Sequence, residues 1–242
     1  ILQTRIGRKN LTPKILNEAP VSFIVYDIME YMGEDIRTLS LSERRKKLDK
    51  LLIDASNSKV LVPSPEIEYK SWDSLKKIRE SSRENVSEGI MLKRKDSSYG
   101  VGRKKGDWWK WKIDPFTVDA VLIYAQKGHG RRADLFTDYT FALWDGDKLV
   151  TFAKAYSGLT NEEIKEVDAF VKSHTIEKFG PVRTVKPELV FEIAFEGISE
   201  SKRHKSGVAV RFPRIARWRK DKKPAEADTL ENIKKLLNET KA

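Results

Sequence analysis

The sequence predicts an α+β protein in two parts: a mixed helix-and-strand segment over residues 1–113, then a five-stranded β-barrel over 114–223. A tail at 224–242 carries one short helix. Three observations support this. A capping box precedes leucines at helical spacing in the first part, β-branched and aromatic runs dominate the second, and Asp114-Pro115 stands between them. Proline has no ladder donor and disfavours a helical residue before it, so a strand reaching Ile113 must stop there.

Val21 to Met29 is β-branched and aromatic enough for a buried strand, and Gly33-Glu34-Asp35 follows as a turn. Ser40 with Glu43 forms a capping box, and Leu41, Leu48, Leu51 and Leu52 share the face of the helix it opens. A second helix opens after Ser71, with Trp72, Leu75 and Ile78 at helical spacing. Gly89 to Lys93 and Trp108 to Ile113 then read as strands joined by the polar loop Asp96 to Asp107.

Beyond the boundary, Phe116 to Ala125, Tyr139 to Trp144 and Lys148 to Tyr156 are strand-like, the last two joined by the hairpin signal Asp145-Gly146-Asp147. Thr160 and Glu163 cap a helix with the apolar stripe Ile164, Val167, Phe170 and Val171. Leu189 to Ile198 and Val208 to Trp218 complete the strands. Three strands, a helix and two strands match the partly open barrel of the OB-fold, a frequent oligonucleotide binder. In the tail, Asp228 and Glu231 cap a helix with apolar Ile233, Leu236 and Leu237.

Composition narrows the function. The 242 residues carry a formal charge of +11 and no cysteine, which excludes a disulfide framework, a thiolate zinc site and a cysteine nucleophile. No apolar run approaches the ~20 residues that cross a bilayer, and Ile1 to Asn10 lacks a secretory core, so no membrane partner is expected. The expected location is the cytoplasm, with the nucleoid if the source is bacterial. The basic surplus sits in two places. Residues 93–112 hold eight basic residues against two acids, net +6, and residues 201–223 hold ten against one, net +9. Trp108, Trp109, Trp111, Phe212 and Trp218 interleave with these cations, a pattern that suits nucleic acid better than a solvated face.

Glu88 precedes a strand and is followed by Gly89, which permits close approach to the backbone; alone, Glu88 reads equally as a residue paired with a neighbouring cation. On the next strand, alternation projects Lys110 and Lys112 from one face while Trp109 and Trp111 pack on the other. Two ammonium groups side by side suit a bound triphosphate, although two solvated lysines remain open. Arg211-Phe212-Pro213-Arg214 to Lys222 is a third, basic element.

In this order and spacing the three elements resemble the later motifs of the ATP-dependent DNA ligases, within the covalent nucleotidyltransferase superfamily. Glu88 to Lys93 is similar to the fourth motif, Trp108-x-Lys110-x-Lys112 to the fifth, and Arg211 to Lys222 to the sixth. Leu2-Gln3-Thr4-Arg5, and Tyr26 to Met29 with Gly33-Glu34, also look like ligase sequence, and the wording is most similar to bacterial ligases of the DNA-damage-operon type. The resemblance implies a partial nucleotidyltransferase (adenylation) α/β domain over 1–113 and an OB-fold domain over 114–223. It also implies a three-step reaction. A lysine takes AMP from ATP, AMP passes to a DNA 5′-phosphate, and the 3′-hydroxyl displaces it to seal the nick. Tyr26 would stack on adenine, Glu88 would act near Mg2+, and Lys110 and Lys112 would neutralise the α-phosphate. Arg217, Arg219 and Lys222 would orient pyrophosphate, with Asp221 holding a neighbouring cation. Lys93, Arg131, Arg132, Arg211 and Arg214 would meet DNA phosphates, although the loop of Arg131 and Arg132 reads equally as solvated.

The sequence also departs from the family. It has no K-x-D-G nucleophile motif; the nearest, Leu143-Trp144-Asp145-Gly146, has leucine where lysine is needed. The glutamate of the third motif is absent too. Both are expected upstream of Ile1, so the partners implied are nicked duplex DNA and the N-terminal half of the adenylation domain, with the protein a monomer. Two other readings compete: a non-catalytic DNA clamp, and an RNA-ligating or capping relative.

Overall fold

The computed structural model describes residues 2–55, 60–85 and 87–239. The chain divides into two compact units, Ile1–Ile113 and Asp114–Ala242. The architecture is α+β. The first unit runs α1 (Pro13–Glu18), β1 (Phe23–Val25), β2 (Glu30–Tyr31), β3 (Glu34–Asp35), α2 (Leu41–Asp54), β4 (Leu61–Pro63), α3 (Trp72–Glu80), β5 (Gly89–Lys93) and β6 (Trp108–Lys112). Both arms of the Ser40–Glu43 capping box are made at the start of α2, and Ser71 with Ser74 caps α3 in the same way.

Two expectations for this unit fail. The strand read over residues 21–29 shrinks to β1, which pairs in parallel with β4 and leaves Phe23 and Ile24 well exposed. Among the described residues this two-stranded sheet has too little packed against that face to bury them. On α2, Leu48 is buried but Leu51 is exposed, and the side chain best enclosed is Arg44. Its guanidinium meets both oxygens of Asp27 at 2.9 Å and also donates to the carbonyls of Leu39 and Ser97. A buried cation survives because its fork of donors is satisfied.

The second unit runs β7 (Phe116–Lys127), β8 (Phe136–Asp145), β9 (Lys148–Ala155), α4 (Asn161–Ser173), β10 (Thr175–Phe179), β11 (Val182–Val185), β12 (Val190–Phe195), β13 (Gly197–Glu200), β14 (Val208–Arg211), β15 (Arg214–Trp218) and α5 (Leu230–Glu239). The long strand β7 carries β8 on one edge and β12 then β11 on the other, and β9 continues from β8. The amide of Ile215 donates to Ser157 O at 2.9 Å, so β15 meets the chain just after β9 and the sheet curls. Gly158 permits that approach: its φ is +117°, and a β-carbon there would lie 1.8 Å from Ile215 O.

The main sheet has seven strands rather than five. The added hairpin, β10 with β11, was illegible because the exposed β10 shows no alternation of apolar and polar residues. The strand expected over 208–218 breaks at Phe212-Pro213, where Phe212 takes φ +51°. β14 therefore pairs with β13, and β15 with β12. Leu189 to Ile198 likewise splits into β12 and β13 around Glu196. The Asp145-Gly146-Asp147 hairpin forms, with Gly146 at φ +62° and Leu143 buried in the core.

Phe141, Phe191, Phe195 and Ile193 from the sheet, and Val167 and Val171 from α4, build one core, which also takes Leu230, Ile233 and Leu237 of α5. The tail helix is therefore structural. Among the described residues no helix is long and apolar enough to cross a membrane. Ile233→Ala should destabilise the second unit by about 2–5 kcal/mol, the cost of deleting a fully buried aliphatic side chain. Urea denaturation checks this, and an unchanged midpoint would place α5 outside the cooperative core.

Candidate functional site

The site in the first unit is built by the β5–β6 pair. Its register sets Gly89 opposite Lys112, Met91 opposite Lys110 and Lys93 opposite Trp108. Strand alternation then puts Trp108, Lys110 and Lys112 on the same face as Lys93, with Ile90, Leu92, Trp109 and Trp111 on the other. On that other face, Trp111 meets Trp72 edge-on at 6.1 Å and the Arg79 guanidinium at 4.9 Å. Trp109 does not pack as expected and is 48% exposed.

The lysine face is more aromatic than the sequence suggested. Trp108 meets Tyr26 at 6.2 Å and Tyr99 at 6.0 Å, both edge-on. The Lys93 amine lies 4.3 Å from the Tyr26 ring and 4.2 Å from the Trp108 ring. Burial pushes that amine below the ordinary lysine range. Lys93 was expected to meet DNA phosphates; the structure places it within the aromatic frame of the Tyr26 face. The buried Asp27–Arg44 pair fixes the chain directly after Tyr26.

Lys112 is not waiting for an external anion, because its Nζ lies 2.8 Å from Glu88 Oε2. Lys110 is exposed. Gly89 has φ +144°, and a β-carbon there would lie 2.4 Å from Trp111 O. The close approach it allows is therefore that of the neighbouring strand. Together, two primary amines, a carboxylate and a half-exposed tyrosine ring offer phosphate neutralisation beside a stacking surface for a base. A protein-built metal centre does not fit. Among the described residues no group of three His, Cys, Asp or Glu could hold an ion, and Glu88 is a single carboxylate already bonded to Lys112.

In the second unit, the basic segment 211–222 is largely paired within its own barrel. Arg214 meets Glu196 at 2.9 Å and Arg217 meets Glu192 at 2.6 Å. Arg219 binds Asp221 through two nitrogens, and that hydrogen-bonded pair holds the Asp221 carboxyl down to about 2. Arg211 lies 4.9 Å from the exposed Phe212 ring. Arg131 and Arg132 lie in a short 3-10 turn, where Arg132 donates to Asn161 at 3.1 Å.

The residue that sequence reasoning missed here is Asp119. Its Oδ2 accepts from Arg219 at 2.7 Å and Lys222 at 2.6 Å, bringing together two of the three cations expected to orient pyrophosphate. Arg217 instead stands on Glu192. Asp119 also bonds twice to Asp228: its amide donates to Asp228 Oδ2 and its carbonyl accepts from the Asp228 amide, both at 2.8 Å. Its Oδ1 is buried and has no hydrogen-bond partner among the described residues. The available signal was an aspartate between Val118 and Ala120 in an apolar strand, a position that demands partners.

Comparison with known proteins bears on both units. The family model described as "ATP dependent DNA ligase domain" matches residues 1–112, and "ATP dependent DNA ligase C terminal region" matches residues 132–222. The chain belongs to the ATP-dependent DNA ligase family. Similar relatives include a "Probable DNA ligase" of Koribacter versatilis, 36% identical over 97% of this chain and 44% of its own length. A "Probable DNA ligase" of Opitutus terrae is 38% identical over 97% and 26%, and a "DNA ligase" of Natronomonas pharaonis 33% identical over 97% and 41%. The chain spans less than half the length of these relatives. A solved Lig E DNA ligase shares the fold, with a TM-score of 0.62 at 19% identity over 89% of this chain and 70% of that one.

Asp119→Asn keeps the shape but removes the charge beneath two family-motif cations. It should destabilise the second unit by on the order of 2–3 kcal/mol. Chemical denaturation at neutral pH measures this, and a loss below experimental error would show that Arg219 and Lys222 do not depend on Asp119.

Proposed function

We propose that this chain is the C-terminal part of an ATP-dependent DNA ligase. It would comprise the later portion of the adenylation domain over 1–113 and the OB domain over 114–223, with α5 as part of the OB unit. The proposed activity is sealing of nicks in duplex DNA through enzyme–AMP and DNA–adenylate intermediates. The observation that carries this reading is the shared face of Tyr26, Lys110 and Lys112, with Glu88 bonded to Lys112.

In this reading Tyr26 stacks on the adenine, and the Lys93–Trp108–Tyr99 frame keeps its ring in place. Lys110, which is exposed, presents its amine to the α-phosphate directly. Lys112 is held ready by Glu88 and exchanges that carboxylate for a phosphate oxygen as charge builds on the phosphorus. Positive charge held where negative charge develops stabilises the transition state more than the ground state. When bound with ATP, a divalent metal would add further phosphate neutralisation. In the second unit, Asp119 holds Arg219 and Lys222 side by side, and these with Arg217 orient the pyrophosphate leaving group. The nucleophilic lysine is proposed to come from a K-x-D-G segment outside these 242 residues, on the N-terminal half of the adenylation domain.

Two outcomes follow. Incubation of the 242-residue chain with labelled ATP and Mg2+ should leave no covalent label, and a labelled chain would overturn the assignment of the nucleophile. In a ligase that joins this chain to a K-x-D-G half, Lys110→Ala or Lys112→Ala should slow sealing by roughly 10²–10³. A small loss of DNA affinity with unchanged turnover would favour a non-catalytic clamp. Sealing of RNA ends in preference to nicked DNA would favour the RNA-ligating relative.

A further inference from the structure

The segment carrying Arg219 and Lys222 returns, shortly after its last cation, to the residue on which both cations stand. Asp228 makes that return. Its Oδ2 accepts from the Asp119 amide and its own amide donates to Asp119 O, both at 2.8 Å. One residue of β7 is therefore gripped by its backbone from the α5 side while its side chain holds two cations.

That grip matters because of how the two cations share the carboxylate. Arg219 and Lys222 both bond to Oδ2, and Arg219 spends its remaining nitrogens on Asp221. Oδ1 is buried and has no hydrogen-bond partner among the described residues. The place of Oδ2, and with it the separation of the two cations, follows from the backbone that carries it.

Asp228 is itself fixed from three sides. Its Oδ1 accepts from Asn232 Nδ2 at 3.2 Å, and its carbonyl accepts from the Trp144 amide at 3.1 Å. The Trp144 indole donates to Pro224 O at 2.8 Å, and Ala227 packs with Val121 and Val190. The turn between the cations and α5 is thus sewn onto β7 and β8. A rigid support of this kind lets a residue remote from the reacting atoms decide their geometry.

We propose that Asp228 is a positioning residue for the first step of the reaction, acting through the Asp119 backbone to set Arg219 and Lys222 against the pyrophosphate leaving group. The proposal rests on the reading of the chain as part of a DNA ligase. Pyrophosphate leaves only when a lysine takes AMP from ATP, so the effect belongs to that step and to its reversal, which share a transition state.

Single-turnover rates in a full-length ligase containing this chain test it. Asp228→Ala should slow both formation of the AMP adduct and its discharge by added pyrophosphate by roughly tenfold. Sealing of a pre-adenylated nick without ATP should stay within about twofold of wild type, a split that general loosening of the barrel does not produce. Asp228→Asn keeps an oxygen for the Asp119 amide and should restore most of the rate. Ile233→Ala weakens the anchorage of α5 without touching Asp228 and, assayed below its unfolding midpoint, should show no such split. The proposal is overturned if Asp228→Ala leaves the first step unchanged or slows all steps alike, if Asp228→Asn is as slow as Asp228→Ala, or if Ile233→Ala reproduces the split. Lys222→Ala identifies the other failure: normal adduct formation in that variant would strike the assignment of these cations to pyrophosphate, and the proposal with it.

Discussion

The antiparallel register of β5 with β6 is the constraint on which the rest of the first unit depends. Side chains alternate with a period of two, so setting Lys93 opposite Trp108 and Gly89 opposite Lys112 decides which groups can act together. A slip of one residue would turn both lysines to the Trp72 side and bring Trp109 and Trp111 beside Tyr26. The register is itself held from several directions. Gly89 lets the strands approach where no other residue could, Trp111 packs on Trp72 and Arg79, and Arg79 donates to Lys112 O. The buried Arg44–Asp27 pair then presents Tyr26 to the lysine face. The face proposed to hold the nucleotide is thus a product of backbone pairing.

The second unit organises charge differently. Its basic segment reads as a field of net +9 in sequence, yet five of its ten cations, Arg214, Arg217, Arg219, Lys220 and Lys222, are bonded to carboxylates of the same unit. Exposed pairs such as Arg217 with Glu192 contribute little stability individually, but they fix where each guanidinium points. Asp119 does most of this, because it also bonds to the residue that leads into α5. The family motif, the first barrel strand and the terminal helix thereby form one mechanical piece.

Much of the plan was legible in the residues. Ser40 with Glu43, Ser71 and Thr160 marked the helix starts because a capping side chain has few other uses there. Gly146 marked a hairpin because few residues take a positive φ cheaply. The alternation of Trp108 to Lys112 placed both lysines on one face. What could not be read depended on contacts remote in sequence. Arg44 looks like a surface residue until Asp27, Leu39 and Ser97 surround it, and the burial expected of Phe23 and Ile24 needs a covering layer that a run of apolar residues cannot specify. Phe212-Pro213 carried the signal for a strand break, but the continuous apolar and basic pattern around it hid that break. Glu88 alone was ambiguous, and its bond to Lys112 resolves how that ambiguity is met in the folded chain.

The most direct measurement is a crystal structure of a ligase containing this chain with an adenine nucleotide bound. The account predicts the Nζ atoms of Lys110 and Lys112 within about 3 Å of α-phosphate oxygens, with the adenine ring against Tyr26. A nucleotide whose phosphates contact neither amine, or whose base lies away from Tyr26, would contradict it.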